Sequence, residues 1–546
     1  MTDDRSAGEG EVRVAGLVGA AEAVADAPVE LKEAGLTQRD ALLEVCDRAE
    51  IWRSPEGETY ATVPADDHVE HHAIAVRGFR DWMVGAMARR YMQKGRPASS
   101  SESAVRDARM GLEARAHMSG SRKDVPLRVA EYQGRIYLDL GEPDWAAIEV
   151  ALDGWRRVPT APVPIMRTRR TAAFPEPDRD GGFAALRTLL RRLPDDDFIM
   201  FIAWCLGAFL PAGPYPILIF GGEQGSGKST LARLAQRLTD PVTGDLLQSP
   251  GDDRDLIAAA RNNRVLAFDN FSGIRAELAD SLCRLATGSE IGGRALYSNH
   301  DTASFSACRP LILNGIPDLA ARGDLADRSI MLRLDAPAER MTERDWARAV
   351  HAVLPSTLAG FLEALVTGLT RLDATPTPDV RMADFARFIV AAERSLPWAP
   401  GAFLAAYRRN RGQAVAALAE GDLVASAVRT FIGEGPEGWK GLVSALYETL
   451  STTVSPEHRR SGDWPGNARW FSDRLRRVAP SLRALGVDIA EHRDGQGLKV
   501  DIRFVASLAT LPTSAGTAGR ASDDANVASA AIDPVSDAPM RWAGRV

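Results

Sequence analysis

The amino-acid sequence predicts an α/β protein in which helices cover both faces of a central sheet, with further domains on either side. Short apolar runs alternate with loops and helix-like segments between residues 196 and 345, as expected of a sheet with helical crossovers. The length of 546 residues is too great for a single compact core. Outside residues 196–345 the pattern changes, because hairpin signals precede this core and helical periodicity follows it.

Composition and periodicity divide the chain into six segments. Both ends are rich in small and polar residues and cannot bury enough apolar surface to offset the entropy of ordering. We expect a disordered tail at 1–30, a mixed α+β N-terminal domain of unknown role at 31–195, the α/β core at 196–345, a helical lid or linker at 346–420, a winged-helix-like DNA-binding domain at 421–505 and a second disordered tail at 506–546. The segment 421–505 is assigned to a winged helix because it reads as three helices, a strand, a turn and a strand.

Two β-hairpins are predicted in the N-terminal domain from their turn residues. One turns at Gln133-Gly134, between apolar runs, and the other at Asp153-Gly154, after the alternating residues Ile148, Val150 and Leu152.

The composition is that of an ordinary globular protein, with 45% hydrophobic and 25% charged residues. A formal net charge of −7 excludes a protein that coats nucleic acid through a generally basic surface. Contact with DNA therefore requires local basic patches. The first 30 residues carry acidic residues where a secretion signal needs positive charge, and we expect a cytoplasmic protein. Four cysteines without a CxxC pair indicate neither a disulfide frame nor a zinc site: Cys46, Cys205, Cys283 and Cys308.

One segment, 198–220, contains no charged residue and is therefore a candidate membrane span. Prolines and glycines divide it and leave an apolar run of about 13 residues, whereas a spanning helix needs about 20. We therefore predict a buried helix, a turn and a core strand, and no membrane partner.

A glycine-rich loop carries the most specific signal in the chain. Residues 222–229 read GEQGSGKS, a full G-x4-G-K-[ST] motif between a predicted strand, 216–220, and a predicted helix, 228–238. Lys228 is one of only six lysines among 66 basic residues, so its place in the motif is informative. Backbone N–H groups of such a loop wrap the phosphates of ATP, the lysine reaches the β- and γ-phosphates, and the hydroxyl of Ser229 ligates Mg²⁺. The predicted nucleotide-binding residues are Gly222, Glu223, Gln224, Gly225, Ser226, Gly227, Lys228, Ser229 and Thr230.

Polar residues at the ends of two later strands complete the predicted ATP site. Asp269 ends the apolar run 265–269 and is expected to share the Mg²⁺ ion with Ser229. Asn270 follows, where many hydrolytic P-loop ATPases carry a second acid, so ATP binding is better supported than hydrolysis. Asn314 ends the run 310–313 and is a candidate sensor of the γ-phosphate, although Asn-Gly is also a common turn.

Arg322 and Arg328 are candidates for an arginine finger that acts on a neighbouring subunit's nucleotide. Each is equally compatible with a surface salt bridge to Asp324 or Asp327.

A basic helix is predicted at residues 468–485. Its apolar stripe is assigned to Trp470, Phe471, Leu475, Val478, Leu482 and Leu485, and Pro480 is expected to kink or divide the helix. Its positive charge predicts contact with DNA phosphates, while a protein–protein module remains the alternative. The predicted contacts are Arg469, Arg474, Arg476, Arg477 and Arg483, with Lys499 on the following wing.

The order GEQGSGKST, LAFDN, a basic segment, LILNG and DLADRS resembles the superfamily 3 and AAA+ helicase-like ATPases of phage and plasmid primase–helicase proteins. The resemblance covers about residues 180–345 well and the C-terminal region more loosely. It implies an AAA+-like P-loop core in an oligomeric ring, with a hexamer as the expected size and ATP at the subunit interfaces. It also implies that Arg328 is the arginine that follows motif C, and that a hairpin in 292–305 grips single-stranded DNA in the channel. Arg294 is the candidate phosphate contact and Tyr297 the candidate for stacking on a base, with core packing as the alternative for Tyr297.

These residues are compatible with three functions. The first is a DNA-dependent ATPase motor of the helicase or translocase type in the replication of a mobile element. The second is a switch or loader whose ATP state controls assembly on DNA, in regulation or phage defence, and Asn270 favours it. The third is a small-molecule kinase, which the sensor-like Asn314 and the predicted winged helix disfavour.

Overall fold

A computed structural model describes residues 28–271, 273–294, 302–315, 323–336, 341–433, 438–460, 464–495 and 497–504. The chain forms two compact units. The first comprises Met1–Leu319 and Arg328–Tyr407, and the second comprises Ala320–Asp327 and Arg408–Val546.

The first unit begins with a mixed α+β part. Its helices are α1 Gln38–Val45, α2 Arg77–Arg90 and α3 Glu102–Ser119. Its strands are β1 Val29–Glu30, β2 Glu50–Arg53, β3 Thr59–Ala65, β4 His68–Ala73, β5 Tyr91–Gln93, β6 Arg96–Pro97 and β7 Ser121–Arg122. They form one sheet of order β4-β3-β2-β7 and another of order β1-β5-β6, around a core that includes Phe79, Met83 and Leu112.

An antiparallel sheet of order β11-β10-β9-β8 follows, made of β8 Val129–Tyr132, β9 Arg135–Asp139, β10 Ala147–Ala151 and β11 Gly154–Val158. The first hairpin turns at Gln133-Gly134 as predicted, with positive φ at both residues. The second turns one residue earlier than predicted. Ala151 pairs with Gly154, so Leu152 and Asp153 form the turn and Gly154 begins the strand, and the Leu152 side chain lies on the surface.

The centre of the first unit is a parallel sheet of order β13-β14-β17-β12-β18. Its strands are β12 Ile217–Gly222, β13 Leu247–Gln248, β14 Leu266–Phe271, β17 Leu311–Gly315 and β18 Ser329–Leu334, and a separate hairpin joins β15 Ile291–Arg294 to β16 Thr302–Phe305. Apolar runs form these strands because a parallel sheet is covered on both faces. The helices are α4 Ala184–Leu189, α5 Asp195–Ala208, α6 Lys228–Thr239, α7 Asp253–Asn262 and α8 Ala276–Thr287.

The uncharged segment 198–220 forms a buried helix followed by a core strand, as predicted. Every residue of α5 from Phe198 to Ala208 is buried, and the first residues of β12 are buried as well. Among the described residues, one helix, Glu343–Arg371, is long and apolar enough to cross a membrane by length and composition alone. Most of its apolar stretch is buried inside the protein, as in a core helix.

The remaining helices are α9 Gly323–Asp327, α10 Glu343–Arg371, α11 Ala383–Ala392, α12 Ala402–Gly421, α13 Leu423–Gly433, α14 Val443–Thr453, α15 Pro456–Arg460 and α16 Ala468–Ala484. In the second unit, α13 to α16 pack with an antiparallel sheet of order β19-β21-β20, made of β19 Trp439–Leu442, β20 Val487–Asp494 and β21 Gly497–Phe504. The sequence had not predicted β19, which precedes the second of these helices. Its residues Trp439-Lys-Gly-Leu442 are too few for a clear alternating pattern.

Pro480 neither divides nor ends the predicted basic helix, because α16 continues through it to Ala484. The predicted division was therefore wrong, and the predicted kink stays a prediction. Pro480 lies on the exposed side, while Leu475 and Leu482 on the opposite side are fully buried. Burial of that apolar face offsets the one backbone hydrogen bond that a proline removes.

Candidate functional site

The glycine loop joins β12 to α6 at the carboxyl edge of the parallel sheet. Gly222, Gly225 and Gly227 all have positive φ, and Gly227 is the left-handed residue that begins α6. A Cβ atom on Gly222 would also collide with the carbonyl oxygen of Leu334 in β18. The glycines are therefore required by the path of the loop and by its packing on the neighbouring strand.

The side chains of the loop and of the first turn of α6 differ in their exposure to solvent. Glu223 and Gln224 are exposed, while Thr230 is half-buried. The ammonium of Lys228 donates to the carbonyl oxygens of Gly222 and Glu223, both at 2.7 Å, so it lies across the mouth of the loop.

Behind the loop, Ser229, Asp269 and Asn314 meet in one hydrogen-bonded cluster. Ser229 Oγ donates to Asp269 Oδ1 at 3.0 Å, and Asn314 Nδ2 donates to Ser229 Oγ at 3.3 Å. Strand β17, which carries Asn314, lies between β12 and β14 and brings the amide within reach of both neighbours. Only 1% of Asn314 is exposed. The three residues that the sequence singled out at strand and loop ends are thus adjacent in the fold.

Asn270 has a conformation that the sequence did not reveal. Its φ is +61°, and the register between β14 and β17 shifts between Phe268 and Phe271, so the strand is irregular here. The backbone N–H of Asn270 donates to Asn314 Oδ1 at 2.8 Å, while its own side chain is exposed. Asparagine tolerates the left-handed conformation better than most residues, which supplies a structural reason for its presence.

The two candidate arginine fingers are placed differently. Arg322 lies outside the described residues. Arg328 immediately precedes β18, and its carbonyl oxygen accepts a hydrogen bond from the Ile217 N–H at 2.9 Å. Its backbone is therefore at the amino edge of the sheet, about 20 Å along the strand from the glycine loop at the carboxyl edge. Of the predicted channel residues, Arg294 ends β15 opposite Thr302, and Tyr297 lies outside the described residues.

Most of the predicted DNA-contacting cations of the second unit form ion pairs within it. The pairs are Arg474–Asp422 at 2.7 Å, Arg476–Glu491 at 2.9 Å, Arg483–Asp488 at 3.4 Å and Lys499–Asp494 at 2.6 Å. The hydrogen bond and charge of Glu491 raise the pKa of Arg476. Arg469 and Arg477 are exposed and make no side-chain hydrogen bond or ion pair with the part of the chain that the structure describes.

Trp470 does not belong to the buried stripe of α16, and its assignment to that stripe was wrong. Its residue surface is 64% exposed, whereas Phe471, Leu475 and Leu482 are fully buried. A helix turns by about 100° per residue, so Trp470 lies about 100° away from Phe471 and outside the stripe that recurs every three or four residues.

The parallel sheet, with the glycine loop and the polar cluster at its carboxyl edge, defines an α/β protein. Residues 194–410 match the family model of the actinomycete integrative conjugative element replication protein. Residues 424–513 match the model of the C-terminal domain of RepA from the same kind of element. Over these two segments the chain is similar to a replication protein of a mobile element.

Three solved structures are also similar to the chain. The SCCmec type IV Cch active helicase is 12% identical, with 84% of this chain and 92% of that chain covered and a TM-score of 0.46. The apo C-terminal region of NrS-1 is 11% identical, with 86% and 99% covered and a TM-score of 0.33. The JCV helicase is 16% identical, with 38% and 66% covered and a TM-score of 0.21. No curated protein matches the chain in sequence.

Proposed function

We propose that the protein is a Mg-ATP-dependent ATPase that acts on DNA as a helicase-like or translocase-like motor in the replication of a mobile element. The observation that carries the proposal is the 3.0 Å contact between the Ser229 hydroxyl and the Asp269 carboxylate, directly behind a glycine loop. The family model of a conjugative-element replication protein, which matches residues 194–410, supports replication as the setting.

The glycine loop supplies the groups that a triphosphate needs. Its backbone N–H groups and the N-terminus of α6 carry positive potential, and the Lys228 ammonium lies at the mouth of the loop. Phosphate oxygens would replace the two carbonyl oxygens that Lys228 contacts, at a similar distance and with a stronger, charge-assisted bond.

Ser229 and Asp269 fit a magnesium site. Two oxygens at adjacent corners of an octahedron with bonds of about 2.1 Å lie about 3 Å apart, close to the separation of the two side-chain oxygens. Mg²⁺ held there would neutralise charge on the β- and γ-phosphates. Asn314 would hold the Ser229 hydroxyl in place and keep the turn at Asn270 against β17.

Arg328 supports a site that is completed by a second subunit. It immediately precedes β18 at the edge of the sheet opposite the loop, so it cannot reach the phosphates of its own chain. An arginine in this place can stabilise phosphoryl charge only in a neighbouring subunit, as in a ring in which ATP binds at the interfaces. Arg322 remains a second candidate by sequence.

DNA contact is proposed at two places. The hairpin from β15 to β16, with Arg294 and Tyr297, would contact single-stranded DNA in the channel of the ring. In the second unit, the order of helices and strands supports a winged helix, with α16 presented to duplex DNA. Because four predicted cations are paired there, phosphate contact would depend mainly on Arg469 and Arg477.

Asn270 favours an alternative, in which the protein is an ATP-controlled switch or loader that does not unwind DNA. The position after Asp269 carries no carboxylate to activate water, and its side chain is exposed. Such a protein would bind ATP and DNA but would hydrolyse ATP slowly.

Steady-state ATP hydrolysis with and without single-stranded DNA, together with separation of a forked duplex, distinguishes these functions. The motor predicts DNA-stimulated turnover and strand separation in the wild type. Lys228→Ala should lower turnover at least 100-fold because the phosphate charge loses its main cation. Lys32→Ala, which removes an exposed lysine of the N-terminal part, is the matched control and should leave both activities unchanged.

Each other outcome of these experiments supports a different conclusion about the function. Nucleotide-dependent DNA binding without strand separation would favour the switch over the motor. Stimulation of turnover by a small phosphate acceptor, with no effect of DNA, would favour a kinase. No binding of ATP at millimolar concentration would refute the proposal as a whole.

A further inference from the structure

We propose that the exposed face of α16 formed by Arg469, Trp470 and Arg477 binds DNA that contains an unpaired base, with the Trp470 indole stacked on that base. The inference rests on the proposed function, since it specifies which DNA the second unit recognises. It differs from plain duplex binding because the central contact is an aromatic ring and not a cation.

The fold of the second unit does not need the Trp470 ring. The core beneath α16 is closed by Phe471, Leu475 and Leu482, all fully buried, and Trp464 packs on Phe471. The indole of Trp470 contributes nothing comparable, since 64% of the residue is exposed. Large aromatic side chains are highly buried on average, so an indole left in water on a polar helix face suggests a ligand.

The position of Trp470 in the helix is fixed. Asn467 caps the N-terminus of α16 and accepts a hydrogen bond from the backbone N–H of Trp470 at 2.9 Å. The residue therefore lies in the ordered first turn, and a base that stacks on its ring would not have to order the backbone beneath it.

The charge around the ring favours a polyanion. Arg477 follows Trp470 by seven residues, so it lies on almost the same face of the helix and about 10 Å along its axis. Arg469 is adjacent in sequence on the exposed side. Both guanidinium groups have no side-chain partner among the described residues, whereas the neighbouring Asp473 is paired with Arg476 at 3.1 Å. The ring thus lies between two available cations.

The paired arginines have a different role in this arrangement. Arg474 forms an ion pair with Asp422, the residue that precedes α13. Arg476 forms one with Glu491 in β20. These pairs fix α16 against its neighbours and leave the surface with few free charges. Binding by charge alone would therefore be weak, and a stacking contact would account for a large share of it.

An unpaired base fits the indole better than a paired one. Base pairs in the major groove are distinguished through hydrogen-bond donors and acceptors at their edges, and an indole has one donor and no acceptor. Its flat face is suited to a base that has left the stack, as in a single strand. DNA with a junction between paired and unpaired segments would engage the ring and both arginines.

The test compares full-length wild type with Trp470→Ala on three DNAs of matched sequence: a blunt duplex, a single strand and a duplex with a single-stranded tail. We expect Trp470→Ala to weaken binding to the single strand and the tailed duplex by about 5- to 100-fold, and binding to the blunt duplex less than twofold. Trp470→Phe keeps a stacking ring and should restore most of the loss. Phe504→Ala removes an equally exposed aromatic residue of the same unit and is the matched control.

The arginines provide an independent arm of the test. Arg477→Ala should weaken binding to all three DNAs and lower the slope of log K against log salt by about one. Arg474→Ala, which removes a paired arginine, should change that slope less. Thermal unfolding verifies that each variant is folded.

Three results would overturn the inference. If Trp470→Ala binds every DNA as the wild type does, the ring is not a contact, while the proposed DNA binding stands. If the variant loses affinity for the blunt duplex as much as for the tailed one, the ring contacts paired bases. If the wild type binds none of the three DNAs at any nucleotide state, the DNA part of the proposed function fails and this inference fails with it.

Discussion

The buried carboxamide of Asn314 uses both of its polar atoms on neighbouring elements. Oδ1 accepts the N–H of Asn270, and Nδ2 donates to the Ser229 hydroxyl. One side chain thereby joins β14, the strand that carries Asp269, to α6, the helix that follows the glycine loop. A change in the position of β17 would therefore displace both Ser229 and the turn that follows Asp269, the two sides of the proposed magnesium site.

Asn314→Ala is expected to reduce activity more than stability. Loss of the amide leaves the part-buried N–H of Asn270 without its partner and should lower the free energy of unfolding by about 1–3 kcal/mol. ATP turnover should fall at least tenfold, because Ser229 and the turn at Asn270 are no longer held together. Denaturant unfolding and steady-state turnover measure the two effects. A variant with normal turnover would show that Asn314 has only a structural role.

At the scale of elements, one buried carboxylate joins three parts of the first unit. Asp240 follows helix α6; its Oδ1 accepts from Arg128 Nε at 2.9 Å, and its Oδ2 accepts from the Val265 N–H at 3.1 Å, just before β14. Arg128 also donates to the carbonyl oxygens of Ala172 and Pro241. The end of α6, the start of β14 and the N-terminal part of the first unit thus meet at the ion pair between Asp240 and Arg128.

Asp240→Asn should be strongly destabilising, because it leaves the buried Arg128 guanidinium with less compensating charge. We expect a loss of about 3–5 kcal/mol in the free energy of unfolding. The exposed pair Arg77–Asp81 supplies the control, since Arg77→Ala should cost less than about 0.5 kcal/mol. Thermal or denaturant unfolding of both variants checks the contrast. Equal effects would mean that the buried pair contributes no more than a surface pair.

The sequence predicted elements where a local signal was strong. The glycine motif lies between β12 and α6, and the apolar runs before Asp269 and Asn314 correspond to β14 and β17. The irregular register at Asn270 was not predictable, because it depends on pairing with a strand more than 40 residues away. Trp470 was misassigned because Phe471 beside it is apolar too, and only the regular spacing of the buried residues separates the two.

At the scale of the whole molecule, stability should depend on pH through His71. This side chain is buried in the N-terminal part, and its Nδ1 lies 3.0 Å from Thr62 Oγ1, which itself accepts from Trp52 Nε1. The Thr62 hydroxyl and Nδ1 thus share one hydrogen bond, whose donor is set by the tautomer of the neutral imidazole. Desolvation, followed by the charge of Lys123, lowers the pKa of His71 to about 3.

The sign of the effect follows from the lowered pKa. The folded protein keeps His71 neutral while the unfolded chain takes up a proton below its ordinary pKa of about 6.5. Stability from this residue is fully present above pH 6.5 and is lost as pH falls towards 3. At pH 5 the loss should be about 2 kcal/mol relative to pH 7.5.

His71→Asn retains a side chain that can hydrogen-bond to Thr62 but does not titrate in this range. The difference in unfolding free energy between wild type and variant should therefore shrink or reverse on acidification, as measured by denaturant unfolding at several pH values. A pH-independent difference would show that His71 titrates alike in both states.

The contact at Asp240 also has a consequence for how the protein could be observed at work. Helix α6 begins at the glycine loop and ends at this carboxylate, with no flexible segment between the helix and the arginine that holds it. A tilt of α6 on nucleotide exchange would displace the N-terminal part together with it. A fluorescent label placed there, far from the phosphates, would then follow the nucleotide cycle without disturbing it.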